Sequence, residues 1–457
     1  MQQLEDGDLA AALERQRMTP FQIAAVGLCT ILNAIDGFDV LAISFAAPVL
    51  AEEWALAPGQ LGILFSSGLA GMTAGSLLIA PLADRIGRRW MTLGSLIGVT
   101  LGMFLSAAAQ DPVQLALTRV LTGLGIGAML PSLATVVAEY SSTRRRELSI
   151  SVMSTGYPIG ATLGGMSAVF VVGSFGWRGI FVLGGLISLV MIPIVIWRLP
   201  ESLAFLATRR PQGALERINL LLRRVGRREI DQIPEPRTAQ ARARVRDVVR
   251  GRLGAHSAAL WSAFFCVMMS FYFVLSWTPK LLVDAGLGAE EGISGGALLN
   301  LGGIAGALGL GLLAARVGPF RIVALTMVAG ALSVALFGLF AHGIALAMTL
   351  ALVVGYLIFG SMVGLYSIMP SVYPTEVRNT GAGLSVGVGR IGAIVSPFVA
   401  GVLLESGWSG SSTYVLFALP LLAAGAATLF LERMRSSGPA QRLSERASQA
   451  CDSRSQP

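Results

Sequence analysis

Residues 81–89 read Pro-Leu-Ala-Asp-Arg-Ile-Gly-Arg-Arg, and a weaker copy, Leu-Leu-Ala-Ala-Arg-Val-Gly-Pro-Phe-Arg, occupies residues 312–321. A second pair of related stretches is Gly-Tyr-Pro-Ile-Gly-Ala at 156–161 and Gly-Arg-Ile-Gly-Ala at 389–393. The members of both pairs are separated by nearly the same distance, 231 to 233 residues. A shared offset between independent pairs indicates an internal duplication. The chain is therefore expected to consist of two related halves.

The composition is that of a protein that lies mostly in a bilayer. Hydrophobic residues make up 54% of the 457 residues, charged residues only 13%, and the mean hydropathy is +0.69. A soluble domain carries about 25% charged residues because its surface must be hydrated. Apolar runs of about 20 residues, long enough to cross a bilayer, occur twelve times. Their starts lie near Phe21, Gly59, Met91, Val113, Leu148, Trp177, Ala258, Ile293, Ile322, Ile344, Asn379 and Tyr414.

The basic residues are distributed very unequally between the two sides of these spans. If the N-terminus is inside, only Arg178 and Lys280 of the 34 Lys and Arg residues fall in outer loops. This bias follows the positive-inside rule. The net charge of +8 therefore reflects orientation, and binding to nucleic acid is not expected. We predict a multi-pass protein of the plasma (bacterial inner) membrane with both termini cytoplasmic.

These observations predict an all-α membrane protein with twelve transmembrane helices in two six-helix halves. The chain is expected to be monomeric. Its predicted parts are a cytosolic arm (1–20), an N-terminal half (21–198), an Arg-rich cytosolic linker (199–255) that is helical around 215–225, a C-terminal half (256–432) and a disordered cytosolic tail (433–457).

Span 1 carries two acidic residues, Asp36 and Asp39. Their spacing of i, i+3 places them on one helical face, and each costs about 2.5–3.5 kcal/mol at the bilayer centre. That face is therefore expected to meet protein or water. Burial and mutual repulsion disfavour two charged forms, so one residue is expected to hold a proton near neutral pH. The alternative is a buried pair that only bonds to neighbouring helices.

Two arginines lie within spans, Arg119 in span 4 and Arg390 in span 11. Arg119 needs a counter-ion, for which Asp36 and Asp39 are the candidates. These three groups either exchange a proton as the helices move or form a permanent ion pair. Arg390 has no acidic residue at similar depth in its own half, so its guanidinium is a candidate to bind a carboxylate. Pairing with Asp36 or Asp39 across the halves is the alternative.

The connection between spans 2 and 3 resembles the loop signature of the major facilitator superfamily. In that superfamily the loop is thought to act as a conformational latch between the halves. This sequence has Ala80 where the family usually has Gly, and the second copy has Ala315 in place of the Asp. Any latch is therefore expected to be stronger in the first half. The resemblance rests on five residues: Asp84, Arg85, Gly87, Arg88 and Arg89.

The segment Asp36-Gly-Phe-Asp39 narrows the resemblance. Together with 139–146 and 373–390, it is similar to the aromatic acid:proton symporter group, and the similarity extends over 21–431. The resemblance implies substrates such as benzoate, hydroxybenzoates and protocatechuate. It also implies an association with transport for Asp36, Asp39, Arg119, Arg390 and the inner-loop residues Glu139 and Arg378. From the chemistry above, we predict that Asp36, Asp39 and Arg119 couple the proton and that Arg390 binds the substrate.

Aromatic residues in the spans are candidates for the wall that holds a substrate ring, although each alone is more often a packing residue. A stacked ring contributes about 0.5–1.5 kcal/mol beyond burial of its area. The predicted substrate site combines Arg390 with Phe38, Tyr157, Tyr272, Trp277 and Tyr356, and further candidates are Phe271 and Tyr366.

No phosphate-binding loop, metal-ligand spacing or nucleophile elbow is present. An enzyme, an ATP-driven pump, a metal and a cofactor are therefore not expected. We expect a proton-coupled symporter that imports small aromatic carboxylates by alternating access, with the substrate, protons and lipid bilayer as its partners. Two alternatives remain open: a symporter of the same superfamily for another organic acid or a sugar, and a transporter-like sensor of such acids.

Overall fold

A computed structural model describes residues 18–142, 145–227, 229–233, 245–317, 319–341, 343–374 and 377–436. Most of the predicted arm and nearly all of the predicted tail lie outside these ranges. Arg144, which belongs to the segment 139–146, also lies outside them. Within the described residues, eleven helices are long and apolar enough to cross a membrane.

The N-terminal half contains a helix that crosses twice. α6 has 53 residues and would be about 80 Å long if straight, against a hydrocarbon core of about 30 Å. At Gly176 the backbone leaves the helical region, with φ 66° and ψ −174°, and this break divides α6 into two spans. The helices of this half are α1 (Pro20–Glu53), α2 (Pro58–Ala74), the short α3 (Ala83–Ile86), α4 (Arg88–Ala108), α5 (Pro112–Tyr140) and α6 (Arg146–Arg198).

Three short helices follow in the linker, and six long ones form the C-terminal half. α8 coincides with the helix predicted around 215–225 and buries Ile218 and Leu222 against the N-terminal half. The linker helices are α7 (Leu203–Arg209), α8 (Ala214–Arg224) and α9 (Val245–Val249). The helices of the C-terminal half are α10 (Gly251–Asp284), α11 (Ala289–Val317), α12 (Pro319–Phe340), α13 (Ile344–Val372), α14 (Arg378–Glu405) and α15 (Gly410–Ser436).

The two halves repeat the same packing. α1 packs on α6, α2 on α5 and α4 on α5, and the corresponding pairs in the second half are α10 with α14, α11 with α13 and α12 with α13. Between the halves, α2 packs on α14, α6 on α11 and α1 on α10. This arrangement agrees with the duplication inferred from the shared sequence offset.

The halves are in close contact at the end of the bundle that carries the α1–α2 and α14–α15 connections. A Cβ atom on Gly62 of α2 would lie 2.7 Å from the carbonyl oxygen of Pro397, and one on Gly401 would lie 3.1 Å from the Cα of Gly62. Ser66 Oγ donates a hydrogen bond of 2.7 Å to the carbonyl oxygen of Ile394. Glycine is therefore required at these positions for the bundle to close at this end.

Replacing Gly62 with Val should open this contact, because the new side chain would overlap the backbone of α14. We expect the disulfide yield between cysteines placed at Ser66 and Ile394, in a background without the native cysteines, to fall several-fold. Gly98→Val is the matched control, since a Cβ at Gly98 would have no atom of another helix within 4 Å among the described residues. An unchanged yield in Gly62→Val would contradict the packing described.

Candidate functional site

The two acidic residues of α1 lie where α1 and α6 approach most closely. A Cβ on Gly37 would collide with the backbone of Tyr157, and one on Gly156 would collide with the backbone of Thr30. Asn33 Nδ2 also donates a hydrogen bond of 2.7 Å to the carbonyl oxygen of Met153. Gly37 therefore permits the approach that places Tyr157 beside the acidic pair.

Asp36 and Asp39 are completely enclosed, with 0% and 1% of their surface exposed. None of their four carboxylate oxygens has a hydrogen-bond partner among the described residues. An unsatisfied buried charged group costs more than the roughly 1–3 kcal/mol of a neutral one. The surroundings of this pair therefore suit a carboxylic acid that carries its proton better than an anion.

Arg119 is held by neutral groups. Its Nη2 donates to Ser106 Oγ at 2.6 Å and to Thr122 Oγ1 at 2.9 Å, and its guanidinium lies 4.8 Å from the ring centroid of Phe181. Asp39 and Arg119 interact electrostatically, but they form no ion pair in the described part of the chain. The permanent ion pair considered from the sequence is not present in this conformation.

Asp39 and Arg119 border the same small cavity. Its volume is about 20 Å³. A cavity of this size is sufficient for about one water molecule. The acid and the guanidinium are thus close enough to influence each other and are not in direct contact.

Arg390 of α14 lies among tyrosine side chains from three other helices. It interacts electrostatically with Tyr157 of α6, Tyr272 of α10 and Tyr366 of α13. Tyr157 also interacts with Asp36, so this phenol connects the acidic pair with the arginine across the two halves. The sequence predicted Arg390, Tyr157 and Tyr272 as members of one site, and the structure brings them together.

The guanidinium of Arg390 is available to a ligand. Within the described ranges it forms no ion pair with an acidic residue, so the predicted alternative of pairing with Asp36 or Asp39 is not observed. Tyr366 is 38% exposed although it contacts Phe264 of α10, at a ring-centroid distance of 5.4 Å. Open space therefore lies beside the ring of Tyr366, whereas Tyr272 is only 9% exposed.

Other aromatic residues predicted for the ring wall lie elsewhere. Trp277 Nε1 donates to the carbonyl oxygen of Pro397 at 3.1 Å, in the closed contact between the halves. The ring of Phe38 packs against α6 at Gly164 inside the N-terminal half. Tyr356 packs along α11, its hydroxyl 2.6 Å from where a Cβ on Gly309 would lie. A role in ring binding stays a prediction for these three residues.

The residues of the predicted latch surround the start of α4. Gly87 has a φ of 99°, which glycine adopts readily, and this turn allows Asp84 Oδ1 to form an ion pair of 2.6 Å with Arg88. Glu201 Oε1 accepts hydrogen bonds from the backbone N–H groups of Arg88 and Arg89, at 2.8 and 3.2 Å. A carboxylate at a helix N-terminus is favoured by the helix dipole.

Of the remaining predicted inner-loop residues, Glu139 bonds to the linker and Arg378 bonds within its own half. Glu139 accepts a hydrogen bond of 2.8 Å from Ser202 Oγ, and Arg378 Nε donates to the carbonyl oxygen of Tyr373 at 3.4 Å. Arg85 is exposed, and Glu376 lies outside the described residues. The latch function therefore stays a prediction, because these bonds do not join the two halves.

Sequence reasoning did not find Glu201 or Ser106. Glu201 follows Pro200 directly after the sixth span, and an acidic residue in an otherwise Arg-rich inner segment is the signal that was available. No comparable signal exists for Ser106, because buried hydroxyl groups are common in membrane helices.

The sequence and the fold both match known transporters. A family model described as the Major Facilitator Superfamily matches residues 29–397. The chain is 33% identical to a gallate transporter of Pseudomonas putida, covering 92% of this chain and 94% of that protein. It is 32% identical to the 4-hydroxybenzoate transporter PcaK of Pseudomonas aeruginosa, covering 92% and 95%. A bacterial homologue of the human lysosomal transporter Spinster superposes with a TM-score of 0.71 at 15% identity, covering 92% and 98%.

The chain therefore belongs to the major facilitator superfamily, and it is a multi-pass membrane transporter rather than an enzyme. The predicted fold of twelve helices in two halves is confirmed. The relatives named as aromatic-acid transporters also confirm the narrower resemblance drawn from the first span.

Glu201→Gln should destabilise the N-terminal half, because the amide lacks the charge that favours the N-terminus of α4. We expect a loss of up to about 1 kcal/mol, seen as a melting temperature about 1–2 °C lower for the purified protein in detergent. Glu147→Gln provides the control, since Glu147 is exposed in the first turn of α6. Equal melting temperatures for the two variants would show that Glu201 does not stabilise this turn.

Proposed function

We propose that this protein is a proton-coupled symporter that imports small aromatic carboxylates of the benzoate, hydroxybenzoate or protocatechuate type by alternating access. The observation that carries the proposal is the position of Arg390, without an acidic partner in the described residues, among tyrosines that link it to the buried acids of α1.

The substrate class follows from the chemistry around Arg390. A guanidinium fork matches the two oxygens of a carboxylate, and Tyr157, Tyr272 and Tyr366 supply aromatic surface beside it. Relatives named for the transport of gallate and 4-hydroxybenzoate support this assignment. Arg390 binds the carboxylate, and the three tyrosines pack against the ring.

Proton coupling follows from the acids of α1. Asp36 and Asp39 lack hydrogen-bond donors among the described residues, which supports a protonated state in this conformation. When Asp39 loses its proton, Arg119, which lines the same cavity and interacts with it, leaves Ser106 and Thr122 to pair with it. An empty carrier with a charged pair reorients slowly, so the proton and the substrate travel together.

The charge bias of the loops supports a cytoplasmic location for both termini in a bacterial inner membrane. The end that is closed by Gly62 and Gly401 then faces outward, and Arg390, which precedes this closed contact along α14, is reached from the cytoplasmic side. This conformation is the one from which substrate leaves after import. Asp84, Arg88, Glu139 and Arg378 act as a latch when the inner end closes.

The alternative of a sensor that binds such acids without moving them predicts a different result in vesicles. A carrier exchanges labelled 4-hydroxybenzoate against an unlabelled pool inside proteoliposomes, whereas a sensor does not. A symporter of the same superfamily for a sugar would transport that sugar at the same rate with or without excess 4-hydroxybenzoate.

Replacing Arg390 tests the anion site. Arg390→Gln should weaken binding of 4-hydroxybenzoate by at least about 100-fold, since a hydrogen bond to a charged group contributes about 1.5–3 kcal/mol, two are lost, and each 1.4 kcal/mol is tenfold in affinity. Arg390→Lys should be intermediate, because it keeps the charge and loses the fork. Equilibrium binding to purified protein measures both. Arg321→Gln is the control, since Arg321 is exposed and pairs with Glu432 on the surface. If Arg390→Gln bound 4-hydroxybenzoate with the affinity of the wild type, Arg390 would not be the group that binds the carboxylate.

Comparing a pH gradient with a membrane potential as the driving force tests whether substrate transport is coupled to protons. One proton with one monoanion moves no net charge, so a pH gradient alone should drive accumulation in proteoliposomes, and a membrane potential alone, about 2.3 kcal/mol per charge per 100 mV, should not. Asp36→Asn should lose accumulation under the pH gradient. Accumulation driven by the potential would contradict one-to-one coupling, and uptake indifferent to both gradients would contradict coupling altogether.

A further inference from the structure

Asn300 of α11 has a buried acceptor that neither the fold nor the proposed mechanism uses. Its side chain is 1% exposed, and its Nδ2 donates a hydrogen bond of 2.9 Å to the carbonyl oxygen of Gly296. Its Oδ1 has no partner among the described residues. A buried acceptor without a donor is destabilising, so a bound group that donates a hydrogen bond there is favoured.

The depth of Asn300 in the bundle can be read from the contact between α11 and α10. Gly292 and Gly296 both lie against Pro279 of α10. From the middle of this contact, Asn300 is about 9 Å further along α11 and Tyr272 about 10 Å further along α10 in the same direction, at 1.5 Å per residue. Asn300 therefore lies at the depth of Tyr272.

The two glycines on the same helical face as Asn300 show which parts of the molecule lie beside it. Gly296, Asn300 and Gly303 share one face of α11 because their spacing is i, i+4, i+7. Gly296 contacts Phe45 of α1, and Gly303 contacts the ring of Phe359. Asn300 is thus bracketed between α1 and an aromatic cluster of the C-terminal half.

The aromatic cluster of Phe359, Phe271 and Tyr272 connects the surroundings of Asn300 with the proposed anion site at Arg390. The ring of Phe359 lies edge-on to Phe271, with centroids 4.8 Å apart, and Phe271 lies edge-on to Tyr272 at 5.2 Å. Tyr272 interacts with Arg390. Along α14, Gly389 packs on Met268 of α10, four residues or about 6 Å from Tyr272. Along the bundle axis, the separation of Arg390 and Asn300 is comparable to the length of a substituted benzene ring.

We propose that Asn300 Oδ1 accepts a hydrogen bond from a ring hydroxyl of the substrate, so that the site selects hydroxylated benzoates over benzoate. This inference rests on the proposed function, in which Arg390 holds the carboxylate. Benzoate would leave the amide oxygen unpaired, and a site built to bond a hydroxyl discriminates strongly against the analogue that lacks it.

The test compares the affinities of purified wild type, Asn300→Leu and Ser188→Ala for benzoate, 3-hydroxybenzoate and 4-hydroxybenzoate by calorimetry. Leu has nearly the shape of Asn without its acceptor. Ser188 is the control because its hydroxyl is also buried and unpartnered among the described residues, on the second span of α6. The wild type should bind a hydroxybenzoate about tenfold more tightly than benzoate, and Ser188→Ala should keep that ratio.

Asn300→Leu should bind benzoate as the wild type does and bind the three acids within about twofold of one another. A variant that keeps the wild-type ratio, or that loses benzoate and hydroxybenzoate binding equally, would overturn the inference. If the wild type bound benzoate and the two hydroxybenzoates with equal affinity, the inference about Asn300 would also be overturned. The proposed function would not be affected by that result. No binding of any of the three acids to the wild type would overturn the proposed function as well.

Discussion

The close backbone contact between α1 and α6 determines the electrostatics of this protein. Gly37 allows the backbone of Tyr157 to lie directly against α1, and this contact encloses Asp36 and Asp39 on both sides of the glycine. Two acids that could have been hydrated are instead buried without donors in the described structure. Their charge state must therefore respond to the groups around them, which include Arg119 beside Asp39 and Tyr157 beside Asp36.

The same contact connects the two halves of the molecule. Tyr157 belongs to the first half, interacts with Asp36, and reaches Arg390 in the second half. Binding of a carboxylate at Arg390 would thus be sensed by the phenol that lies beside the acids. Glycines such as Gly62 and Gly401 let the halves meet at one end, and the bonds of Asp84, Arg88 and Glu201 stabilise the start of α4 at the opposite end.

Much of this arrangement could be predicted from the sequence, because the bilayer leaves few choices. Apolar runs locate the spans, and ionisable residues within them are costly enough to stand out, which is how Asp36, Asp39, Arg119 and Arg390 were found. The direction of an aromatic side chain carries no such penalty. In this conformation Trp277 lies in the closed contact and Phe38 inside the first half, positions that the sequence did not indicate, and their role in ring binding stays a prediction.

Side-chain contacts between residues far apart in the sequence could not be predicted from the sequence either. Glu201 binds the start of α4 from 113 residues away, and the hydroxyl of Ser106 takes the place that a carboxylate was expected to hold beside Arg119. Both depend on how the helices are rotated about their axes. Periodicity does not determine that rotation when nearly every face of a helix is apolar.

Infrared spectroscopy of the purified protein at pH 7 would test most directly whether the acids of α1 carry a proton in this conformation. The carboxylic C=O stretching band of the wild type should lose intensity in Asp36→Asn, in Asp39→Asn or in both, while Glu147→Gln leaves it unchanged. A band that is the same in all four proteins would mean that both acids are ionised inside the bundle, which would contradict a protonated acid as the basis of coupling.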